Sequence, residues 1–557
     1  MRNLFFKLAI VLFVLLQSSC YLKPFIKYSF NKEGFKKFSK KELKAGNNEN
    51  PQRAYKINRY DWEVELLPKK QRILGNMNIT FTPSIRQDTF MFDLQRRMKV
   101  ENFTCNMPDA KVQHKGDFLF LSFPSNRDFL NRISLNIEYQ GKPVKTLGEG
   151  PIQWKKDLLD RPWISSVTEG VGPHFMMPCS ILLGKEADTT TIAVTVPSEL
   201  TVTANGQLVN VIESENKKTF KHIVTNPINI YNISFNAGHF VKLEKPYVDI
   251  NGVERIIECF ALDFNQEIAD DYYNQAPIIL KEFEQMFGVF PWWNDGCRFV
   301  ESTFSAMEHQ SCIAMGGDYD KNWKDTINTT LVHEISHEWW GNSVTGKDYC
   351  DIWIHEGMAT FSEALFLEKH LGKEDYFKRI NRMVRSTSNT IPIHKKCGVV
   401  YNSWTNAPDQ DIYAKGGLMM HTLRILVSDD ELFLNALKQI QIDFAEKNVS
   451  SEEMVSKLNE LLLDDYSPML NWYLDEAKPP QLEIKLDRVK GKLHYKWAKE
   501  IPLMMRQELL VLVNEDEITL NPTTEFQAID VVAGQNLQFL IERGIYYQMK
   551  ILEVKEK

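Results

Sequence analysis

The sequence predicts a multidomain α+β protein with a strand-rich first part, a mainly helical middle and a small strand-rich end. Three observations predict it. From Tyr60 to about Leu243, short runs such as DWEVELL, NMNITFTP, FLFLSF, TIAVTVP and YNISFNAG alternate apolar and polar residues between Pro, Gly and Asn, the pattern of antiparallel strands. From about Val253 to Lys478 the apolar spacing becomes helical, as in EIADDYYNQAPIILKEFEQMF, ELFLNALKQIQIDFAEK and SEEMVSKLNELLLD. Pro479-Pro480 then interrupts the chain, and QLEIKL, KLHYKW, ELLVLV and NLQFLI return to strand patterns. The expected domains are therefore 51–252, 253–478 and 479–557. A chain of 557 residues that is 43% hydrophobic has ample material for several packed cores.

Two further segments precede these domains. Residues 1–20 read as an export signal, because Arg2 and Lys7 lead into the apolar run Leu8 to Leu16, too short to span a bilayer comfortably. Leu16-Gln17-Ser18-Ser19-Cys20 resembles a bacterial lipobox, with Gln17 as its departure, so Cys20 is the expected lipidation site. The alternative is a plain cleaved signal peptide with a spare cysteine. In the lipobox reading the protein is an exported bacterial lipoprotein, periplasmic or anchored in the cell-envelope membrane. Residues 21–50 form a basic tether, with eight Lys against two Glu between 21 and 45, suited to an anionic membrane surface or simply to solvent.

Charge and cysteine usage narrow the partners. A net charge of −7 gives no basic excess for phosphate contacts, so nucleic acid is excluded as a partner. Cys105, Cys179, Cys259, Cys297, Cys312, Cys350 and Cys397 are widely scattered without a C-x-x-C pair. They read as mostly buried free thiols, with one or two disulfides allowed in an exported protein.

The chemistry is concentrated in His333-Glu334-Ile335-Ser336-His337 and, after eighteen intervening residues, in Glu356. The segment TLVHEISHEWW is helical in pattern, so His333 and His337 project from one face one turn apart, with Glu334 beside them. Two neutral imidazoles and one carboxylate leave a tetrahedral zinc ion one open position for water, the arrangement of a catalytic site. Glu334 is then the general base. In DIWIHEGMATFSEALF, Glu363 falls on the same helical face as Glu356, placed to orient a zinc-bound histidine.

These residues resemble the gluzincin zinc aminopeptidases, the family of aminopeptidase N and the leukotriene-hydrolase enzymes. Ser305-Ala306-Met307-Glu308-His309 matches the family's G-A-M-E-N motif with two departures, Ser305 for glycine and His309 for asparagine; Met307-Glu308-His309-Gln310 is similar to a variant in a bacterial branch. Trp340-Gly341-Asn342 with Val344-Thr345, and Tyr413-Ala414-Lys415-Gly416, resemble later family segments. Thr168-Glu169-Gly170, Met177-Pro178-Cys179, Thr195-Val196-Pro197 and Ala204-Asn205-Gly206 are similar to the substrate-facing loop and the strands after it. The resemblance runs from about Tyr60 to about Pro480 and is densest over 300–420.

The resemblance implies an N-terminal β saddle, a thermolysin-like catalytic domain and a C-terminal β-sandwich-like domain. It implies one zinc per chain and peptide substrates with a free amino terminus. Tyr413 stabilises the oxyanion, Glu308 and Glu169 grip the substrate's α-ammonium group, and Ala306 and Met307 supply an edge strand for the substrate backbone.

Overall fold

The computed structural model describes residues 50–552 except 125–131, 145–150, 170–171, 318, 320–322, 324–326, 395–396, 398–410, 488–489, 514–515, 532–536 and 540–543, together with the paired strands Ser29–Phe30 and Lys36–Lys37. The expected signal over 1–20, with Cys20, and most of the basic tether lie outside the described residues.

Strands fill the chain from Tyr55 to Leu262. The first, Tyr55–Leu67, buries Tyr55, Ile57, Tyr60, Trp62, Val64 and Leu66. A bulge between Ile57 and Arg59 shifts the alternation by one residue, which keeps both halves facing the core. This strand sits inside a seven-stranded sheet ordered Gln207–Ser214, Lys217–Val224, Thr189–Pro197, Tyr55–Leu67, Arg72–Pro83, Ile133–Gly141, Lys99–Cys105. The expectation of a purely antiparallel domain needs correction, because Thr189–Pro197 runs parallel to Tyr55–Leu67. Parallel neighbours cannot be joined by a tight turn, and here residues 68–188 make the connection.

A four-stranded sheet, ordered Ile152–Lys156, Pro162–Ser166, Phe235–Gly238, Thr201–Ala204, ends one strand just before Glu169. A mixed five-stranded sheet follows, ordered Phe240–Val248, Glu254–Leu262, Cys297–Ser302, Cys312–Gly316, Ala306–Met307. Its first hairpin straddles the 252/253 boundary expected from pattern alone. Ala306–Met307 lies at the edge, paired among the described residues only with Cys312–Gly316.

Among the described residues the helices are α1 (Gln266–Tyr272), α2 (Gln275–Phe287), α3 (Thr329–Ser336), α4 (Trp353–Leu371), α5 (Lys373–Ser386), α6 (Asp411–Val427), α7 (Asp430–Asp443), α8 (Ser451–Leu462) and α9 (Ser467–Asp475). None is long and apolar enough to cross a membrane. Helix α4 is buried continuously from Trp353 to Leu367 and forms the axis of this part. It crosses α6 at a glycine pair: a Cβ on Gly357 would lie 2.9 Å from the Gly416 Cα. Strands from Gln481 onward form two small sheets of four and three strands. Tyr546 ties them to α6, its amide donating to the Thr422 hydroxyl at 3.0 Å.

The crossing gives a stability prediction. Gly357→Ala forces a methyl group into backbone, where no side chain can turn aside, so a loss of about 1–3 kcal/mol is expected. Denaturant unfolding measures it; an unchanged midpoint would show that the helices separate freely.

Candidate functional site

Helix α3 starts at Asn328, whose side chain accepts from the Leu331 amide at 3.0 Å. Leu331, Val332 and Ile335 bury its inner face. Its last turn delivers His333, Glu334 and His337. Gly341 turns the chain just beyond, with φ +119°, and a Cβ there would press on His355 Cγ at 3.1 Å and His337 Nδ1 at 3.3 Å. Glycine is required at that point on both counts.

The histidine orientations follow from their partners. His337 Nδ1 lies 2.9 Å from the Trp340 carbonyl, and His333 Nδ1 lies 3.0 Å from Glu363 Oε1. Carbonyl and carboxylate oxygens only accept, so each Nδ1 carries the proton and each Nε2 presents a lone pair. The two Nε2 atoms are 3.1 Å apart, and Glu356 Oε2 is 3.4 Å from that of His333 and 3.5 Å from that of His337. Tetrahedral ligands about 2.0–2.2 Å from zinc stand roughly 3.3–3.6 Å apart, so this triangle fits the ion. Glu356 Oε2 is buried with no hydrogen-bond partner among the described residues, which is how a ligand oxygen should stand. Arg379 grips Glu363 with two hydrogen bonds of 2.9 Å, fixing the carboxylate that fixes His333.

Three more carboxylates close on the triangle. Glu308, Glu334 and His337 form one cluster with ligand atoms within 4.8 Å of one another, and Glu169, Glu308 and Glu356 form a second. Burial, together with Glu308 and Glu356, pushes Glu334 up to about 8. Burial first, and then Glu308, raises Glu169 well above the carboxylate range. Of the four clustered carboxylates Glu169, Glu308, Glu334 and Glu356, Glu356 alone moves down, because the adjacent His333 and His337 outweigh burial. Tyr413 on α6 stacks its ring against His333 with centroids 6.0 Å apart; burial and the nearby carboxylates hold its hydroxyl protonated.

The structure thus brings together every site residue expected from the described part of the chain: His333, His337, Glu356, Glu334, Tyr413, Glu308, Glu169 and Glu363, with Ala306 and Met307 on the adjoining edge strand. His309 is fully buried, and its ring has no hydrogen-bond partner among the described residues. Sequence reasoning missed Tyr231, whose hydroxyl donates to Glu308 Oε1 at 2.9 Å, and it missed Arg379 and His355. The adjacency of His355 to Glu356 was a signal for one of them; Tyr231 and Arg379 carried none. Asn205 holds the loop after Glu308, donating to the Gln310 carbonyl at 2.7 Å.

A second donor group, Cys350, Asp351, His394 and Cys397, is not a metal site in this state, because Cys350 and Cys397 are joined in a disulfide and have no thiolates to offer. The other described cysteines are free thiols, all buried but the half-buried Cys105.

Residues 274–473 match the Peptidase family M1 domain. Over that stretch the chain is similar to the M1 peptidases. Leukotriene A-4 hydrolase of Xenopus laevis is 24% identical over 239 residues, 40% of this chain and 39% of that protein. Aminopeptidase B of Homo sapiens is 23% identical over 397 residues, 67% of this chain and 55% of that protein. The chain therefore spans about two fifths to just over half of these relatives. The M1 zinc metallopeptidase of Deinococcus radiodurans shares the fold, with a TM-score of 0.66 at 19% identity over 77% of this chain and 96% of that one. A mutant of that protein, described as bound to a Tyr-Ser-Ala substrate, aligns with a TM-score of 0.64 at 19% identity over 76% of this chain and 94% of that one.

The support of His333 by Glu363 and Arg379 gives the second prediction. Glu363→Ala should weaken zinc about 10–100-fold while leaving the three ligands in place, whereas His333→Ala should lose most of the metal. Metal analysis against a graded chelator tests both, and full occupancy in His333→Ala would place the metal elsewhere.

Proposed function

We propose that the chain is a zinc-dependent aminopeptidase that hydrolyses the amino-terminal peptide bond of peptides, with one zinc per chain held by His333, His337 and Glu356. The observation that carries this reading is the size of the carboxylate cluster. Oxygens of Glu169, Glu308 and Glu356 all lie within 4.8 Å of one another, so the grip for a cation begins where the metal triangle ends. In one residue the amine nitrogen and carbonyl carbon are separated by roughly 2.5 Å. There is room for one residue between an ammonium held by Glu308 and Glu169 and a carbonyl at the metal, which is the geometry of an exopeptidase.

Bound in the triangle, zinc would supply a Lewis acid for the scissile carbonyl and a water acidified toward about pH 7. Glu334 takes the proton of the attacking water and passes it to the leaving amine. Tyr413, kept protonated, donates to the oxygen on which charge develops. The free side of Ala306–Met307 pairs with the substrate backbone.

Glu334→Gln should keep its zinc and fold while losing at least about 10²–10⁴-fold in kcat. Tyr413→Phe should lower kcat with little change in KM, since its bond forms mainly in the transition state. Steady-state kinetics with aminoacyl fluorophores measures both, and near-normal turnover in Glu334→Gln would sink the mechanism.

Acetylating a peptide's amino terminus removes the cation and leaves Glu308 and Glu169 without a positive partner, so cleavage should nearly stop. Product analysis of matched free and acetylated peptides should find stepwise loss of single residues from the free forms only. Internal cleavage of acetylated peptides at comparable rates would make the enzyme an endopeptidase with the same metal site.

For the exported form, the lipobox-like residues ending at Cys20 support anchoring of the mature protein through lipid on that cysteine. Mass spectrometry of membrane-extracted protein should find a diacyl- or triacyl-glyceryl group there. A mature protein beginning elsewhere, indifferent to Cys20→Ala, would leave a plain signal peptide.

A further inference from the structure

We propose that His355 and Tyr231 are positioning residues that form a buried, one-directional hydrogen-bond relay holding the carboxylate of Glu308. The inference rests on the reading of Glu308 as the grip for the substrate's ammonium group and adds what sets that grip. It starts from a backbone amide. The Gly346 N–H lies 2.7 Å from His355 Nε2. An amide only donates, so Nε2 must accept, and the neutral ring carries its proton on Nδ1. That Nδ1 lies 3.2 Å from the Tyr231 hydroxyl oxygen, which therefore accepts from it. The tyrosine's own hydrogen is then left for Glu308 Oε1, 2.9 Å away. One fixed amide thus determines the tautomer of a histidine, the rotor of a phenol and the oxygen of Glu308 that is occupied.

The relay's members have little freedom to do otherwise. His355 is fully buried and Tyr231 is 1% exposed. Gly346 belongs to the short strand Val344–Gly346, which pairs in parallel with Lys447–Val449, so its amide direction is set by the fold. Gly341 closes against His355 from another side. Tyr231 lies in the turn Ile230–Asn232, whose Tyr231 carbonyl accepts from the Thr168 hydroxyl at 2.9 Å. Thr168 immediately precedes Glu169, the other half of the proposed grip. The backbone of Glu308 is held separately: its carbonyl accepts from the Asn342 side chain at 3.0 Å. With one carboxylate oxygen tied back to Tyr231, the group is aimed and its negative charge receives an O–H donor, the stronger kind of hydrogen bond. An ammonium group then meets an anion that is already oriented and loses little in ordering it.

Substitutions at His355 separate this role from simple filling of space. His355→Asn can place an amide N–H near the position of Nδ1 and keep the donor to Tyr231, but it leaves the Gly346 amide unserved. His355→Gln can reach the Gly346 amide but not the tyrosine. The experiment measures KM and kcat on an aminoacyl fluorophore with a free amine for Tyr231→Phe, His355→Asn, His355→Gln and Glu308→Ala in the full-length zinc-loaded protein, with zinc content and thermal unfolding as controls. Tyr231→Phe and His355→Gln should each raise KM about tenfold or more, the worth of a hydrogen bond to a charged group, with a much smaller change in kcat and unchanged zinc. His355→Asn should stay close to the parent enzyme. The relay is overturned if His355→Asn behaves like His355→Gln, or if Tyr231→Phe leaves KM unchanged while Glu308→Ala raises it. If Glu308→Ala itself leaves KM for the free amine unchanged, the reading of the grip fails, and the relay falls with it for that separate reason.

Discussion

Four carboxylates sharing a few ångströms, three of them buried and one half-buried, are the constraint around which the structure is organised. Glu169, Glu308, Glu334 and Glu356 lie in overlapping clusters with His333 and His337, and of the four only Glu169 is half-buried. Negative charges so placed repel one another and lose their hydration, which raises the pKa of three of them. Only Glu356, facing two imidazoles, is held down. Such a group is stable when positive charge sits at both ends, a metal ion against the histidines and an ammonium against Glu308 and Glu169. Binding and catalysis are in this sense one electrostatic problem, and the ligands that complete the site also neutralise it.

Holding that charge in place requires parts of the chain far apart in sequence. Glu169 comes from the strand-rich part, Glu308 from the loop beyond an edge strand, and the metal ligands from α3 and α4. Glu338 joins two of these pieces, accepting from the Ser311 amide and the Asn342 side chain, each at 2.9 Å. It sits one turn beyond Glu334 but faces the loop instead of the metal, and burial pushes it to about 8. Asn205 clamps the same loop from the β side. Both the fold and the site are therefore secured by polar bonds to backbone groups, which tolerate little displacement.

What could be read from the sequence followed periodicity. His333, His337 and Glu334 share one helical face, and Glu363 follows Glu356 by two turns, so spacing alone brought these groups together. The grip on the amine was legible only through resemblance, since Glu169 and Glu308 approach one another through tertiary structure. Tyr231 and His355 were invisible for the same reason: their contacts span 77 and 124 residues, and neither belongs to a repeating pattern. The parallel pairing of Thr189–Pro197 was hidden likewise, because an alternating strand reads identically in either direction. The pairing of Cys350 with Cys397 was one of many that scattered cysteines allow.

That disulfide divides the site in a way its geometry does not. Its two ends are 47 residues apart, and the loop it closes contains Glu356, Glu363 and Arg379 but neither His333 nor His337. Closing a loop of that length restricts the unfolded chain by roughly 4 kcal/mol in the chain-entropy account. Glu356 thereby lies within a covalently closed loop, while the helix that carries the two histidines lies outside it. Reducing that bond would return this freedom to the unfolded chain, which ties the stability of the segment carrying the third ligand to the redox state of its surroundings.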